Sequence, residues 1–243
     1  MIPDDLAHML YLHEIIDIVG TGQEAYLQTV GERARHSEGQ NISRLMGTWK
    51  VIGSTHRWPR VVNLWEMDSW AHWAETLERQ FLPGKVDAAL APWWAKATQW
   101  RSGGFDRILA PAAFSPTSAA LRASGLKAWV CVHTLVRSRR GLAPSYLDAV
   151  GEELAGLLAE RGCTLMGAYS ASMRSDEVLI LWAAPDFRHL CELADGWDAD
   201  PALHRWRLRS EALREDAETM WLVPSADCFF HPAADGAPPA LPR

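Results

Sequence analysis

The chain has 243 residues, with 24 Lys and Arg against 30 Asp and Glu, so its formal net charge is −6. This acidic balance, with no basic run longer than residues 137–140, argues against a nucleic-acid-binding protein. Charged residues interrupt every apolar stretch before the roughly 18 residues that a membrane span needs, and the first residues, with Asp4 and Asp5, lack the basic region and apolar core expected of a signal peptide. We therefore expect a cytoplasmic protein that does not contact membranes. Four well-separated cysteines predict free thiols.

Hydrophobic periodicity predicts the order β-α-β-β-α-β in the first half of the chain. In chain order, the predicted elements are a strand over 9–19, a helix over 23–36, strands over 44–51 and 60–67, helices over 69–81 and 86–100, and a strand over 104–109.

The second half repeats this order after a linker rich in Pro, Ala and Ser. Its predicted elements are a strand over 128–136, a helix over 144–161, strands over 164–170 and 177–183, a helical region over 186–216 with a break near 198, and a strand over 219–223. The expected organisation is a first unit over 1–111, a linker over 112–125, a second unit over 126–230, and a disordered tail over 231–243.

A direct comparison of the two halves supports this division. Three separated segments recur at one spacing of 120 residues: 10–13 with 130–133, 25–32 with 145–152, and 45–49 with 165–169. Each unit has the ferredoxin-like pattern, in which helices cover one face of a four-stranded antiparallel sheet. The other face needs a cover, and two fused units can cover each other.

The first hairpin carries a family resemblance. The pattern Gly47-x-Trp49-x3-Gly53, followed by the run Val-Val-Asn-Leu-Trp-Glu-Met-Asp over 61–68, resembles NIPSNAP-like proteins of the dimeric α/β-barrel superfamily. The second copy keeps Gly167 but has Tyr169 in place of the tryptophan. The resemblance implies an α+β fold of two tandem βαββαβ units packed sheet to sheet as a pseudo-dimeric α/β barrel. The superfamily includes cofactor-free monooxygenases, cyclases, isomerases, lyases and haem-associated enzymes, so the fold does not select a function.

Strand alternation assigns side chains of the first strand to two faces. Leu10, Leu12, Glu14 and Ile16 share one face, and Tyr11 and His13 share the other. If the aliphatic residues pack on the helices, His13 faces the interior between the sheets, and His133 does so in the second unit.

The same logic applied to the third strand sends Val62 and Leu64 towards the helices. Asn63 and Trp65 would then face the interior, with Trp182 as the counterpart in the second unit. His13 and Trp65 would line one cavity, and His133 and Trp182 another.

An imidazole in an aromatic pocket can act as a general acid or base. The sequence therefore predicts an enzyme that acts on a hydrophobic or aromatic small molecule by cofactor-free acid/base chemistry, as an isomerase, cyclase, lyase or cofactor-independent monooxygenase. The predicted catalytic residues are His13, His133 and Tyr169, and the predicted ligand-binding residues are Tyr11, Trp49, Asn63, Trp65 and Trp182. No metal motif or nucleotide-binding loop is present.

Other interpretations stay open at this point. A histidine on a strand is more often a hydrogen-bonded core residue, and buried tryptophans stabilise any core. The alternative function is a non-catalytic protein that binds haem, for which a neutral imidazole would be the axial ligand, or another lipophilic molecule. The sequence also leaves open a homo-oligomer.

Overall fold

All the strands predicted from the sequence form at or near their expected places in the computed structural model, which describes residues 8–40 and 42–233. The first unit consists of β1 (Leu10–Ile18), α1 (Gln23–Gly39), β2 (Arg44–Val51), β3 (Arg60–Met67), α2 (Trp70–Phe81), α3 (Leu90–Ala97) and β4 (Arg101–Pro111). The hydroxyl of Ser69 accepts a hydrogen bond from the backbone N–H of His72 and thereby caps α2.

The second unit follows a connecting segment that contains a short helix, α4 (Ser118–Ala123). Its elements are β5 (Val130–Ser138), α5 (Ala143–Ala149), a π-helical segment (Val150–Leu154), α6 (Ala155–Glu160), β6 (Thr164–Ala171), β7 (Arg174–Ala184), α7 (Phe187–Gly196), α8 (Pro201–Leu213) and β8 (Arg214–Pro224). Of the predicted tail, residues 234–243 lie outside the described residues.

The last helical region differs from its prediction at its end. The expected break near residue 198 is present, because Asp200 caps the backbone N–H groups of Ala202 and Leu203 and Pro201 suits a first helical turn. The second helix does not continue to residue 216, since β8 already begins at Arg214. The strand pairing of β8 with β5 therefore overrides a charged stretch that looks helical.

The strands form one closed barrel in the order β1-β3-β2-β8-β5-β7-β6-β4. Each unit contributes four adjacent strands, and the two sheets join through antiparallel pairs, β2 with β8 and β4 with β6. The predicted fold class is confirmed, and the edges of the two sheets are hydrogen-bonded to each other as well as packed together. Closure leaves no unpaired sheet edge between the units.

The inside of the barrel is filled with side chains, as expected for a barrel of this strand number. Both units contribute to the interior cluster, which includes Tyr11, Ile15, Met46, Trp49, Val62, Leu64, Leu109, Cys131, Met166, Tyr169, Leu179, Leu181 and Leu222. A Cβ atom on Gly47 would collide with the ring of Trp49, and one on Gly167 would collide with Tyr169. The glycine two residues before each aromatic ring is therefore a packing requirement.

The connecting segment is tied to the barrel by a buried carboxylate. Glu66 accepts hydrogen bonds from the backbone N–H of Ser118 at 3.0 Å and from its hydroxyl at 2.8 Å. The Tyr11 hydroxyl donates a further bond at 2.8 Å, and Arg44 pairs with the same carboxylate at 3.0 Å. These contacts hold α4 against the barrel.

In the part of the chain that the structure describes, no helix combines the length and the apolar character that crossing a membrane requires.

Candidate functional site

The two interior histidines meet at the centre of the barrel. His13 lies opposite Leu64 in its ladder and His133 lies opposite Leu181, so both imidazoles face inwards as predicted. Their Nε2 atoms are 2.9 Å apart and their ring centroids 5.0 Å apart, so that one imidazole donates a hydrogen bond to the other. Burial lowers the pKa of His133 to about 3, and burial together with His133 and Arg107 lowers the pKa of His13. Both imidazoles are therefore neutral at physiological pH.

In the third strand of each unit, the side chains that point into the barrel are the ones predicted to face the helices. Leu64 points into the barrel, whereas Trp65 lies opposite Leu12 and packs in the cluster under the helices. Trp182 likewise packs under the helices of the second unit. The prediction was wrong because both faces of these strands are buried, so alternation separates two faces without showing which one is inside. His13 and Trp65 therefore do not line one cavity.

Asn63 also faces the helices rather than the interior. Its side-chain oxygen accepts a hydrogen bond from the Thr48 hydroxyl at 2.6 Å, and its amide nitrogen donates one to Glu14 at 3.0 Å. These two contacts orient the amide within the helix-covered side of the first unit.

The other predicted site residues belong to the packed interior. Tyr11 and Tyr169 have ring centroids 4.9 Å apart, and the Tyr169 hydroxyl contacts the sulfur of Met46 at 3.6 Å. Trp49 stacks on Phe230 at 5.7 Å. A ligand between the two sheets would have to displace these side chains.

Open space lies instead outside the barrel, between the sheet and the helices of each unit. In the first unit, two adjacent cavities of about 70 Å³ and 590 Å³ share the side chains of Leu12, Glu14, Trp73, Gln80 and Trp94, and we name them together the first cleft. Trp65 and Trp93 complete its aromatic walls.

A carboxylate lies on the sheet side of the first cleft. Oε2 of Glu14 accepts a hydrogen bond from Trp65 Nε1 at 2.8 Å and another from Asn63 Nδ2 at 3.0 Å. Among the described residues, no hydrogen-bond donor contacts the other oxygen, Oε1. The two bonds hold the carboxyl group in one orientation and leave Oε1 available to a ligand.

The surroundings of Glu14 shift its ionisation. Burial, reinforced by the charge of Asp106, raises the pKa of Glu14 above its ordinary value, against the opposing effects of its hydrogen bonds and of Arg101. Asp106 lies directly opposite Glu14 in the ladder between β1 and β4. Desolvation also raises the pKa of Asp106, and Arg101 again opposes the shift. Two carboxylates thus line this end of the cleft, and the charge of Arg101 acts to lower the pKa of each, which burial raises.

The second unit has a cleft in the same place, with a volume of about 300 Å³. Its walls are also aromatic, and they include Tyr146, Trp182, Trp197, Trp206 and Trp221. This space is named the second cleft.

The sheet side of the second cleft carries no carboxylate. Where Glu14 faces Asp106 in the first unit, Thr134 faces Thr219 in the ladder between β5 and β8, and their hydroxyl oxygens are 3.1 Å apart. Neither cleft is lined by a histidine.

Glu14 was not among the predicted site residues, although the sequence contained a signal for it. Leu10, Leu12 and Ile16 share its face of β1, and the prediction already placed this face against the helices. A glutamate on a covered, aliphatic face needs a hydrogen-bonding partner or a function, because burying an unpaired charge is costly. The aliphatic neighbours of Glu14 indicate a packing face, whereas His13 on the other face has the side chain most typical of acid/base chemistry.

The haem alternative requires an imidazole that faces an open cavity. The Nε2 atoms of His13 and His133 share a hydrogen bond inside the packed barrel. Neither imidazole is therefore placed to serve as an axial ligand of haem. Within residues 8–40 and 42–233, no group of three or more His, Cys, Asp or Glu side chains is placed to hold a metal ion. The residues present therefore do not fit haem in the form that the sequence suggested.

No protein-family model and no curated protein matches this sequence. Solved structures do match it along most of its length. An anthrone oxidase-like protein superposes with a TM-score of 0.62 at 13% identity, covering 90% of this chain and 92% of its own. A proposed monooxygenase from Lactobacillus acidophilus NCFM superposes with a TM-score of 0.61 at 11% identity, covering 89% of this chain and 94% of its own.

The chain has the dimeric α/β-barrel fold. Both halves of the barrel lie in one polypeptide. The matches also include a NIPSNAP-domain protein from Burkholderia xenovorans, at 23% identity and a TM-score of 0.36, which covers 40% of this chain and 95% of its own. The fold that the resemblance implies is thus confirmed, since the anthrone oxidase-like and monooxygenase structures superpose along most of the chain.

Proposed function

We propose that this protein is an enzyme that moves a proton to or from a hydrophobic aromatic molecule bound in the first cleft, with Glu14 as the general acid or base. One observation carries the proposal. Glu14 presents an oxygen without a hydrogen-bond donor, Oε1, in a cleft walled by tryptophan, while its other oxygen is held by two donors.

The environment of Glu14 suits proton transfer. A carboxyl group whose pKa is raised towards working pH is a stronger base when ionised and remains able to return the proton afterwards. The bonds from Trp65 and Asn63 fix its direction, so little reorganisation is needed at the moment of transfer. Glu14 therefore takes the proton-transfer role that the sequence analysis gave to His13 and His133.

The cleft favours a flat aromatic substrate with an acidic C–H or O–H group. Trp65, Trp73, Trp93 and Trp94 provide apolar walls, and small-molecule sites typically combine such walls with a few placed polar groups. Removal of the proton leaves negative charge on the substrate. In this proposal that charge is stabilised by Arg101, whose guanidinium lies 5.0 Å from the centre of the Trp94 ring and whose charge already acts on Glu14.

The anion formed in this way leads to the reactions expected from the sequence. Return of the proton at another carbon is an isomerisation, attack on a carbonyl group of the same molecule is a cyclisation, and loss of a leaving group is an elimination. Reaction of an electron-rich anion with dioxygen is a cofactor-independent oxygenation. All of these begin with the step assigned to Glu14.

The test follows the proton itself. Anthrone and 2-tetralone, two flat carbon acids, are incubated with the protein in D2O under nitrogen, and deuterium incorporation is measured by mass spectrometry. We expect the wild-type protein to accelerate exchange and Glu14→Gln to lose about 100-fold to 10,000-fold of that acceleration, the usual contribution of a general base.

The matched control is Thr134→Val at the equivalent position of the second unit, which should keep the wild-type rate. His13→Gln should also keep it in the fraction of protein that folds. The proposal is wrong if Glu14→Gln exchanges deuterium as fast as the wild type, or if His13→Gln abolishes exchange in correctly folded protein.

A further inference from the structure

The second cleft is lined by an arginine at the ladder position that Arg101 holds in the first unit, but not by carboxylates at the positions of Glu14 and Asp106. Arg101 lies opposite Ile18 at the end of the ladder between β1 and β4, and Arg214 lies opposite Ser138 at the same point of the ladder between β5 and β8. The charge of Arg101 acts to lower the pKa values of Glu14 and Asp106, which burial raises. In the second unit threonines hold the positions of these two carboxylates, so Arg214 lacks the negative charges that lie near Arg101.

Arg214 is half-buried and lines the cleft. Burial raises the pKa of the nearby Tyr146 hydroxyl and the charge of Arg214 opposes this larger effect, and within the described residues no carboxylate lies at ion-pair distance from Arg214. The other arginine of this cleft is different, since Arg207 pairs with Asp198 at 2.9 Å. Arg214 is thus a cation that faces the cavity without a carboxylate partner, and a guanidinium shielded from water favours an anionic partner.

The rest of the second cleft suits an aromatic group. Its volume of about 300 Å³ lies at the lower end of the range for small-ligand sites, the size of a bicyclic molecule. Trp182, Trp197 and Trp206 contribute flat apolar surfaces. Among the described residues that line it there is no Asp, Glu or His, so none of these side chains is placed to act as a carboxylate or imidazole base.

We infer that the second cleft binds a flat aromatic carboxylic acid, whose carboxylate pairs with Arg214 and whose ring lies among the tryptophans. The ligand carboxylate takes the place that Glu14 and Asp106 occupy beside Arg101. Binding occurs here without proton transfer, and the site is separate from the one in which Glu14 acts.

Isothermal titration calorimetry with 2-naphthoate and with neutral, isosteric 2-naphthamide tests this inference. The wild-type protein should bind the acid at least about tenfold more tightly than the amide, the usual effect of a charge-assisted hydrogen bond. Arg214→Gln should remove this preference and leave the affinity for the amide unchanged. Arg101→Gln, the matched variant of the first cleft, should keep the preference.

A second variant adds a carboxylate to the second cleft and keeps Arg214. Thr134→Glu places a carboxylate at the position of Glu14, gives Arg214 an internal partner, and should also remove the preference for the acid. Glu14→Gln should bind 2-naphthoate as the wild type does, so that failure of this inference is distinguishable from failure of the proposed function.

Three results would overturn the inference: equal wild-type affinity for the acid and the amide, binding of neither probe, or retention of the acid preference in folded Arg214→Gln and Thr134→Glu proteins. Loss of the preference in Arg101→Gln alone would place the acid in the first cleft and would equally overturn it.

Discussion

The first and second clefts occupy the same place in two copies of one unit, and they differ in volume and in a few polar side chains. Trp65 and Trp182 pack at matching positions under the helices, whereas the carboxylate of Glu14 is replaced by the hydroxyl of Thr134. Positions that support packing are kept because their loss would destabilise the unit. Polar side chains that face the clefts make few packing contacts. They can therefore be replaced by side chains with a different functional group at little cost in stability.

The barrel interior behaves differently from the clefts. There the two units are not independent, because His13 of one unit hydrogen-bonds His133 of the other and Tyr11 packs against Tyr169. A change on one side alters the surroundings of its counterpart. Duplication thus left the clefts free to diverge and kept the interior as a shared support.

The largest effect should come from that shared interior. Trp49→Ala and Tyr169→Ala remove corresponding, fully buried rings, and each should lower the free energy of unfolding by about 3–5 kcal/mol. Urea denaturation measures the change, with the exposed Met173→Ala as a control that should stay within about 0.5 kcal/mol of the wild type. A cost below about 1 kcal/mol for either ring would mean that its half of the interior is not packed as described.

The histidine pair should make the protein sensitive to acid. Both imidazoles have a lowered pKa in the folded state, so the unfolded state binds protons first as the pH falls below about 6.5. Between that value and the pKa of about 3 of His133, this imidazole alone should lower stability by about 1.4 kcal/mol per pH unit, and the lowered pKa of His13 adds to the slope in the same direction. Above about pH 6.5 the pair should contribute no slope.

Urea denaturation at several pH values measures this slope. The double variant with Gln at positions 13 and 133 should show a smaller slope between about pH 4 and 6, whatever its absolute stability. An unchanged slope in the double variant would show that the pair does not stay neutral on folding.

A smaller effect should appear in the pH dependence of deuterium exchange. Exchange requires ionised Glu14, so its rate should rise with pH through the pKa of this residue. Asp106→Asn removes a neighbouring negative charge that raises this pKa, and the midpoint should therefore move to lower pH, by roughly one unit or less. Thr219→Val, the corresponding change in the second unit, should leave the midpoint in place. A shift to higher pH in Asp106→Asn would contradict the assigned electrostatics.

The smallest expected effect is a shift in the pH midpoint of deuterium exchange that occurs in Trp65→Phe and not in Trp182→Phe. Trp65→Phe keeps an aromatic wall but removes the N–H that donates to Glu14 at 2.8 Å. Loss of a hydrogen bond to the ionised form raises the pKa, so the midpoint should move slightly upwards, opposite to the effect of Asp106→Asn. Trp182→Phe should not move it, and a shift of equal size in both variants would mean that the N–H of Trp65 is not specific to Glu14.

Much of the fold could be predicted from the chain itself. The repeat around His13 and His133 placed both histidines on the inward face, and the turn chemistry between residues 51 and 60 marked the first hairpin correctly. Closure of the barrel was harder to predict from the sequence, because the pairing of β2 with β8 joins residues far apart in the chain. The start of β8 could not be predicted either. The charged residues after Arg214 have no strand pattern of their own, and they form a strand because they pair with the distant β5.

The candidate site was harder to predict than the fold. Alternation on β3 separated Leu64 from Trp65 but could not show which of them faced the interior, because both sides are covered. The orientation of β3 determines whether Trp65 lies beside His13 in the barrel interior or beside Glu14 under the helices. The second cleft required a further step, since the lack of a carboxylate beside Arg214 is visible only when the two ladders are compared.

The most direct test of the account measures both activities in the same two variants. Deuterium exchange into anthrone and calorimetric binding of 2-naphthoate are measured for Glu14→Gln and Arg214→Gln beside the wild type. The account predicts that Glu14→Gln loses exchange and keeps binding, while Arg214→Gln keeps exchange and loses the preference for the acid. Loss of both activities in either folded variant would contradict the division of proton transfer and acid binding between the two clefts.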